Sequence, residues 1–141
     1  MKKSVEGGKL PKAVGPYSQA ITYRDLVFCS GQIGKDPKTD KLKEGIEEQT
    51  VQIFSNLKSI LKEAGSDINN ILKVNVYIKD LEGYELMNKI YEKQFKKPYP
   101  ARATIGVTNL PAGALIEIEC TAYKNFHHDD HDESGCCGEC C

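Results

Sequence analysis

The sequence predicts an α+β fold in a single domain, followed by a short tail. Two segments carry apolar residues at helical spacing, and the segments around them alternate apolar and polar residues as strands do. Along the chain these segments follow the order β-β-α-β-α-β-β, which predicts a mixed sheet with both helices on one face. We expect the domain to span residues 1–126 and the tail to span residues 127–141.

The first strands are predicted to form a hairpin. Residues 20–23 and 26–30 are short, strand-like runs joined by the tight turn Arg24-Asp25. The polar segment KDPKTDKLKEG, residues 35–45, contains a proline and two aspartates and is therefore expected to be a loop.

Two helices are predicted from the spacing of the apolar residues. The first covers residues 46–64, and Gly65 follows it as a typical C-terminal glycine. The second covers residues 84–95 and ends before the Pro-Tyr-Pro segment at residues 98–100. The residues of this second helix that are expected to face the core are Met87, Ile90, Tyr91 and Phe95.

Three more strands are predicted, over residues 71–80, 102–107 and 115–123. The residues expected to face the helices are Leu72, Val74, Val76 and Ile78 in the first and Ile116, Ile118, Cys120 and Ala122 in the last. The opposite face of the sheet is expected to carry Arg102, Thr104, Glu117 and Glu119. Such a half-polar face is either solvated or packed against another subunit.

The domain lacks the residues of several common catalytic mechanisms. All three histidines lie in the tail, so residues 1–126 hold no Ser-His-Asp triad, no Cys-His pair and no histidine-bound metal. No GxGxxG motif occurs, and the glycines near Lys35 lack the spacing of a phosphate-binding loop. We therefore expect no cofactor.

Charge and hydropathy argue against nucleic-acid and membrane partners. The tail contributes five acidic residues and no Lys or Arg, so the net charge of −1 leaves +4 dispersed over residues 1–126. The N-terminus lacks the apolar segment of a signal peptide, and no apolar run approaches the ~20 residues of a membrane span. The expected location is the cytoplasm.

Arg102 stands out because it lies on a predicted strand beside small residues, where an unpaired guanidinium is costly to bury. Glu117 and Glu119 on the neighbouring strand are candidate internal partners. The alternative is an anionic ligand, because the guanidinium presents a rigid fork of donors that matches a carboxylate. The residue types alone favour the internal ion pair.

Five segments, in this order, resemble the reactive intermediate deaminase family, the Rid or YjgF-like proteins. They are GPYSQA at 15–20, SGQIG at 30–34, VYIKDL at 76–81, PARATIGV at 100–107 and LPAGALIEIECTA at 110–122. The resemblance covers nearly all of residues 5–124. It implies a chorismate-mutase-like α+β fold that assembles as a homotrimer, with three sites in the clefts between subunits.

The resemblance also implies an activity and a set of site residues. The implied reaction is the hydrolysis of 2-imino acids, formed from enamines such as 2-aminoacrylate and 2-aminocrotonate, to 2-keto acids and ammonia. Arg102 would bind the substrate carboxylate, and Glu117 would position or activate water. The residues that would line the pocket are Tyr17, Ser30, Gly31, Asn88 and Thr104, the last replacing a cysteine found in some relatives.

This implied chemistry favours an anionic ligand, rather than an internal ion pair, as the partner of Arg102. An imine is already electrophilic, so its hydrolysis needs a grip on the carboxylate, a water and a group that moves protons. A domain without histidine supplies all three. Two alternative functions stay open: a regulatory protein that binds small carboxylates without turnover, and a ribonuclease or translation inhibitor, as described for some relatives. The lack of histidine and of a basic stripe argues against the ribonuclease.

The tail HHDDHDESGCCGECC is dense in metal ligands, which nothing in the resemblance explains. Cys137 and Cys140 have the spacing of a zinc or thiol site. The candidate ligands of a soft metal ion are His127, His128, His131, Cys136, Cys137, Cys140 and Cys141. The favoured interpretation is a disordered acidic appendage, with a metal sensor as the alternative.

Overall fold

The structure is a computed structural model that describes residues 1–126. The strands are β1 (Lys3–Ser4), β2 (Ala20–Tyr23), β3 (Leu26–Ile33), β4 (Lys35–Asp36), β5 (Lys41–Leu42), β6 (Ile71–Ile78), β7 (Ala101–Gly106) and β8 (Ile116–Tyr123). The α-helices are α1 (Gly45–Glu63) and α2 (Tyr84–Gln94). Three single 3₁₀ turns cover Ile68–Asn70, Leu81–Gly83 and Pro111–Gly113.

The main sheet has six strands in the order β1-β2-β3-β8-β6-β7. All neighbouring strands are antiparallel except β6 and β7, which are parallel and are connected through α2. This confirms the predicted α+β class and the mixed sheet. The topology leaves β7, which carries Arg102, at one edge.

The core lies between the sheet and one layer formed by both helices. The fully buried apolar side chains of α1 are Ile53, Phe54, Leu57, Ile60 and Leu61. Phe54 makes edge-on ring contacts with Tyr91 and Phe95 at centroid distances of 5.8 and 5.7 Å. These contacts hold α2 against α1 and confirm the expected inward positions of Tyr91 and Phe95.

The end of α1 follows the sequence prediction. Gly65 has a positive φ of 74°, a conformation that glycine adopts without strain. Just beyond it, the Ser66 N–H donates to the Leu61 carbonyl oxygen at 2.8 Å and satisfies a helix-end acceptor. The chain can therefore turn sharply from α1 into β6.

Two local predictions are wrong. Leu72 is 47% exposed and Ile71 is buried instead, because the pairing of β6 with β8 shifts register between Ile71 and Lys73. The segment expected to be a loop contains the short hairpin of β4 and β5. Three of the four paired residues there are charged, so hydrophobic periodicity does not reveal the strands.

The predicted face of Arg102 and Thr104 is also wrong. Arg102 lies opposite Val74 of β6, which is fully buried beneath the helices. Residues opposite each other on neighbouring strands point to the same side of the sheet, so Arg102 and Thr104 face the helix layer. Glu117 and Glu119 point to the other side. The internal ion pair between Arg102 and these glutamates is therefore excluded.

Neither α-helix among residues 1–126 combines the length and the hydropathy that a bilayer crossing requires.

Candidate functional site

The Arg102 guanidinium is held by side chains from α2. Its Nη1 donates to Asn88 Oδ1 at 2.8 Å, and its Nη2 donates to the Tyr84 hydroxyl oxygen at 2.9 Å. The Tyr91 ring lies beneath it, with 4.6 Å between Arg102 Cζ and the ring centroid. The guanidinium is thus fixed in position and orientation by neutral groups.

These contacts leave the positive charge of Arg102 available to a ligand. Among residues 1–126, no carboxylate lies within 4.0 Å of its nitrogens. Two of the five guanidinium N–H groups are used, which leaves three. The guanidinium opens into a cavity of about 360 Å³, lined by Asn88, Tyr91, Glu92, Tyr99, Pro100 and Arg102.

Two buried hydroxyls near Arg102 have no hydrogen-bond partner among residues 1–126. They are Thr104 Oγ1 and the Tyr91 hydroxyl. Burial raises the pKa of Tyr91 to about 12, so its hydroxyl is protonated at neutral pH. Buried polar groups are normally satisfied, so each of these hydroxyls is a candidate to bind a water or a ligand.

A second cavity, of about 490 Å³, lies on the opposite side of the sheet. It contains Tyr17 from the N-terminal loop, Ser30 and Gly31 from β3, and Glu117 from β8. The other lining residues are Pro11, Lys12, Val14, Ile33, Lys35, Asn56, Tyr77, Pro111 and Glu119. These side chains mix cationic, acidic and apolar groups in one space.

Hydrogen bonds between the segments GPYSQA and SGQIG fix the N-terminal loop that lines this second cavity. The Ser30 hydroxyl donates to the Ser18 carbonyl oxygen at 2.6 Å. Gln32 Nε2 donates to Gln19 Oε1 at 2.7 Å, and Gln19 Nε2 donates to the Pro11 carbonyl oxygen at 2.7 Å. The segments GPYSQA and SGQIG therefore fold as one unit that places Tyr17 at the cavity.

The two glutamates of β8 have different environments. Glu119 Oε1 accepts hydrogen bonds from the Tyr77 hydroxyl at 2.7 Å and from Asn75 Nδ2 at 3.0 Å. Glu117 makes no side-chain hydrogen bond or ion pair with other described residues. Burial, and then the negative charge of Glu119, raise the pKa of Glu117. A carboxylate that is free and has a raised pKa is suited to proton transfer.

Gly31 lies against the Glu117 side chain. A Cβ at this position would come within 2.8 Å of Glu117 Cδ and 3.0 Å of Oε2, so any other residue must displace the carboxylate. We expect Gly31→Ala to lower the kcat of any reaction that uses Glu117 by about 10-fold or more, with a small change in stability. The matched control is Gly8→Ala, because a Cβ at Gly8 meets nothing within 4 Å. Equal kcat values for the two variants, measured beside their melting temperatures, would contradict this expectation.

The structure divides the sequence-predicted site residues into two groups. Arg102, Asn88 and Thr104 lie on the helix side of the sheet at its β7 edge. The cavity on the other side holds Tyr17, Ser30, Gly31 and Glu117. One copy of the chain does not bring the two groups together.

Sequence reasoning missed part of the surroundings of Arg102. Its prediction of metal ligands in the tail stays untested. Tyr84, Asn88 and Tyr91 follow i, i+4, i+7 spacing on α2. The sequence analysis placed Asn88 in the pocket, assigned Tyr91 to the core and gave Tyr84 no role. Within residues 1–126, no group of three or more His, Cys, Asp and Glu side chains is placed to hold a metal ion. The seven candidate metal ligands of the tail lie outside the described residues.

Comparison with known proteins gives consistent matches over the domain. The family model for Endoribonuclease L-PSP matches residues 7–124. The chain is 45% identical to Reactive Intermediate Deaminase A, chloroplastic, of Arabidopsis thaliana, with 86% of this chain and 65% of that protein covered. It is 40% identical to the 2-iminobutanoate/2-iminopropanoate deaminase of Homo sapiens, with 88% and 91% covered. The crystal structure of RidA from Psychrobacter sp. PAMC 21119 superposes with a TM-score of 0.84 at 40% identity and covers 86% of this chain and 98% of that one.

Proposed function

Because the chain belongs to the Endoribonuclease L-PSP family, the YjgF/Rid proteins, we propose that it hydrolyses 2-imino acids to 2-keto acids and ammonia. Its relatives named as deaminases support a function of the Rid type. The proposed substrates are the imino forms of 2-aminoacrylate and 2-aminocrotonate. The observation that carries the proposal is the Arg102 guanidinium, which is immobilised by α2 and has no carboxylate partner among residues 1–126.

Arg102 binds the substrate carboxylate in this proposal. A guanidinium and a carboxylate form paired charge-assisted hydrogen bonds, and the three remaining N–H groups of Arg102 provide the donors. Tyr84, Asn88 and Tyr91 already hold the guanidinium, so little side-chain freedom is lost when the substrate binds. The neighbouring Thr104 hydroxyl, which has no partner among the described residues, binds the substrate or a water beside it.

Glu117 carries the proton transfers. Its carboxylate takes a proton from a water, and the hydroxide adds to the imine carbon. The proton is then delivered to the nitrogen, which gives a tetrahedral carbinolamine. Glu117 takes the hydroxyl proton of the carbinolamine and passes it to the nitrogen, so that the C–N bond breaks, the carbonyl of the keto acid forms and ammonia leaves. The raised pKa of Glu117 suits both directions of transfer, because it brings the pKa closer to neutral pH. Tyr17, Ser30 and Gly31 enclose the water and the imine.

The complete site requires more than one copy of the chain. Arg102 and Glu117 lie on opposite faces of the sheet, so we place the Arg102 cavity of one copy against the Glu117 cavity of its neighbour. The Glu117 face also exposes Phe28 by 44% and Ile105 by 51%, and burial of such side chains favours association. Three copies arranged in this way form the proposed homotrimer with three sites.

The test is a coupled assay in which a threonine or serine dehydratase generates 2-aminocrotonate or 2-aminoacrylate. Keto-acid formation is followed with and without this protein. We expect the protein to accelerate keto-acid formation in proportion to its concentration. If there is no acceleration while the protein still binds 2-oxobutanoate, it is a carboxylate-binding protein without turnover and the hydrolysis proposal fails.

A further inference from the structure

Three side chains on one face of α2 contact the Arg102 guanidinium. Tyr84, Asn88 and Tyr91 are separated by four and three residues, so they form one stripe along the helix. The Tyr84 hydroxyl oxygen accepts from Nη2 at 2.9 Å, and the Tyr84 ring centroid lies 5.6 Å from Arg102 Cζ.

We propose that Tyr84 is a positioning residue that acts through Arg102 and sets the affinity of the site for carboxylates. The inference rests on the carboxylate-binding half of the proposed function and is independent of whether hydrolysis follows. It concerns the free energy of binding, because a guanidinium that is already oriented loses less freedom when a carboxylate binds.

Tyr84 restrains a rotation of the Arg102 guanidinium that Asn88 and Tyr91 leave free. Asn88 restrains only Nη1, and a guanidinium held at one nitrogen pivots about that hydrogen bond. The Tyr91 ring supports one face of the guanidinium, but it does not prevent the guanidinium from rotating within its own plane. The second hydrogen bond, from Nη2 to Tyr84, removes this rotation and determines which N–H groups face the cavity.

The Tyr84 hydroxyl is suited to this restraining role. A hydrogen bond from Asn88, followed by the positive charge of Arg102, lowers the pKa of Tyr84. Because a guanidinium has only donors, the Tyr84 oxygen accepts from Arg102, and its own proton points away from the guanidinium. At 37% exposure, Tyr84 is open to solvent, so water replaces the lost acceptor without damage to the fold in a variant that lacks the hydroxyl.

The experiment compares Tyr84→Phe with wild type, using 2-oxobutanoate as the probe in a direct titration. We expect the Kd to rise by about 3- to 10-fold, the range for the net loss of one ordinary hydrogen bond, because water takes over part of the lost contact. In the dehydratase-coupled assay, KM is expected to rise by a similar factor while kcat stays within about twofold. The melting temperature is expected to stay close to that of wild type.

The matched control is Tyr23→Phe. Tyr23 is 43% exposed and also has an arginine over its ring, with Arg24 Cζ 5.4 Å from the centroid, but it lies outside both cavities. We expect its Kd to equal that of wild type. An unchanged Kd in Tyr84→Phe, or an equal rise in Tyr23→Phe, would overturn the inference.

The outcomes separate this inference from the proposed function. If wild type binds 2-oxobutanoate without turnover and Tyr84→Phe weakens that binding, hydrolysis is refuted and the positioning role stands. If wild type accelerates hydrolysis and Tyr84→Phe leaves both Kd and KM unchanged, the positioning role is refuted and the proposed function stands.

Discussion

Arg102→Ala is expected to lower kcat/KM for 2-iminobutanoate by about 100- to 1,000-fold, because the substrate loses the group proposed to hold its carboxylate and orient its C=N bond. Most of the loss should also appear as weaker binding of 2-oxobutanoate in a direct titration. The fold is expected to persist, since Arg102 is half-buried at an edge strand and its partners Asn88 and Tyr84 are neutral side chains that water can reach.

Arg102→Lys is the matched control for this prediction. A lysine keeps the charge but offers neither the planar fork nor donors that reach Asn88 and Tyr84 together. We expect its kcat/KM to lie between those of wild type and Arg102→Ala. Turnover by Arg102→Ala at the rate of wild type would refute the role of this residue, provided that sedimentation shows the same oligomer for both proteins.

Glu117→Gln is expected to lower kcat by about 100- to 10,000-fold while the affinity for 2-oxobutanoate changes little. The amide retains the shape of the side chain but cannot accept a proton from water. Single-turnover kinetics with 2-iminobutanoate measure this effect directly. A loss confined to KM would instead assign Glu117 to substrate binding.

The raised pKa of Glu117 also predicts how pH affects rate. As the proposed base, Glu117 must be ionised, so the rate falls as pH drops through its raised pKa, at a higher pH than for an ordinary carboxylate. Glu119→Gln removes one of the two causes of the shift and should move this acid limb of the rate profile to lower pH. If the acid limb does not move, Glu119 does not influence the pKa of Glu117 during the proposed reaction.

The same shift makes a prediction for stability. A carboxyl group whose pKa is higher in the folded than in the unfolded state favours folding when protonated, and this contribution is lost as pH rises through the folded pKa. At neutral pH, ionised Glu117 therefore opposes folding. Glu117→Gln is expected to raise the melting temperature at pH 7 and to change it less near pH 4, which thermal unfolding monitored by circular dichroism can test.

The sequence alone predicted the helices and the strands of the main sheet that carry the site. Apolar spacing identified α1 and α2 to within a residue of their ends, and alternation identified β7 and β8. These patterns are local, because each depends on residues within one element. The resemblance carried by five short segments was confirmed by the match over residues 7–124.

The tertiary structure decided which faces of the strands point to the helices. Alternation shows that Arg102 and Thr104 share one side of β7 and that Glu117 and Glu119 share one side of β8. It does not relate the sides of two strands, because that relation depends on strand pairing and on the parallel placement of β7 beside β6. Sequence reasoning therefore joined Arg102 to the glutamates, and the fold separates them.

The surroundings of Arg102 also depend both on patterns within single elements and on contacts between elements that are distant in sequence. The sequence alone determined that the chain has a guanidinium on a strand of small residues and a helix with Tyr84, Asn88 and Tyr91 at regular spacing. Only the packing of α2 against the edge of the sheet brings the two together, at distances of 2.8 to 4.6 Å. Local patterns specify the elements of this protein, and contacts between elements distant in sequence decide what its charged groups can bind.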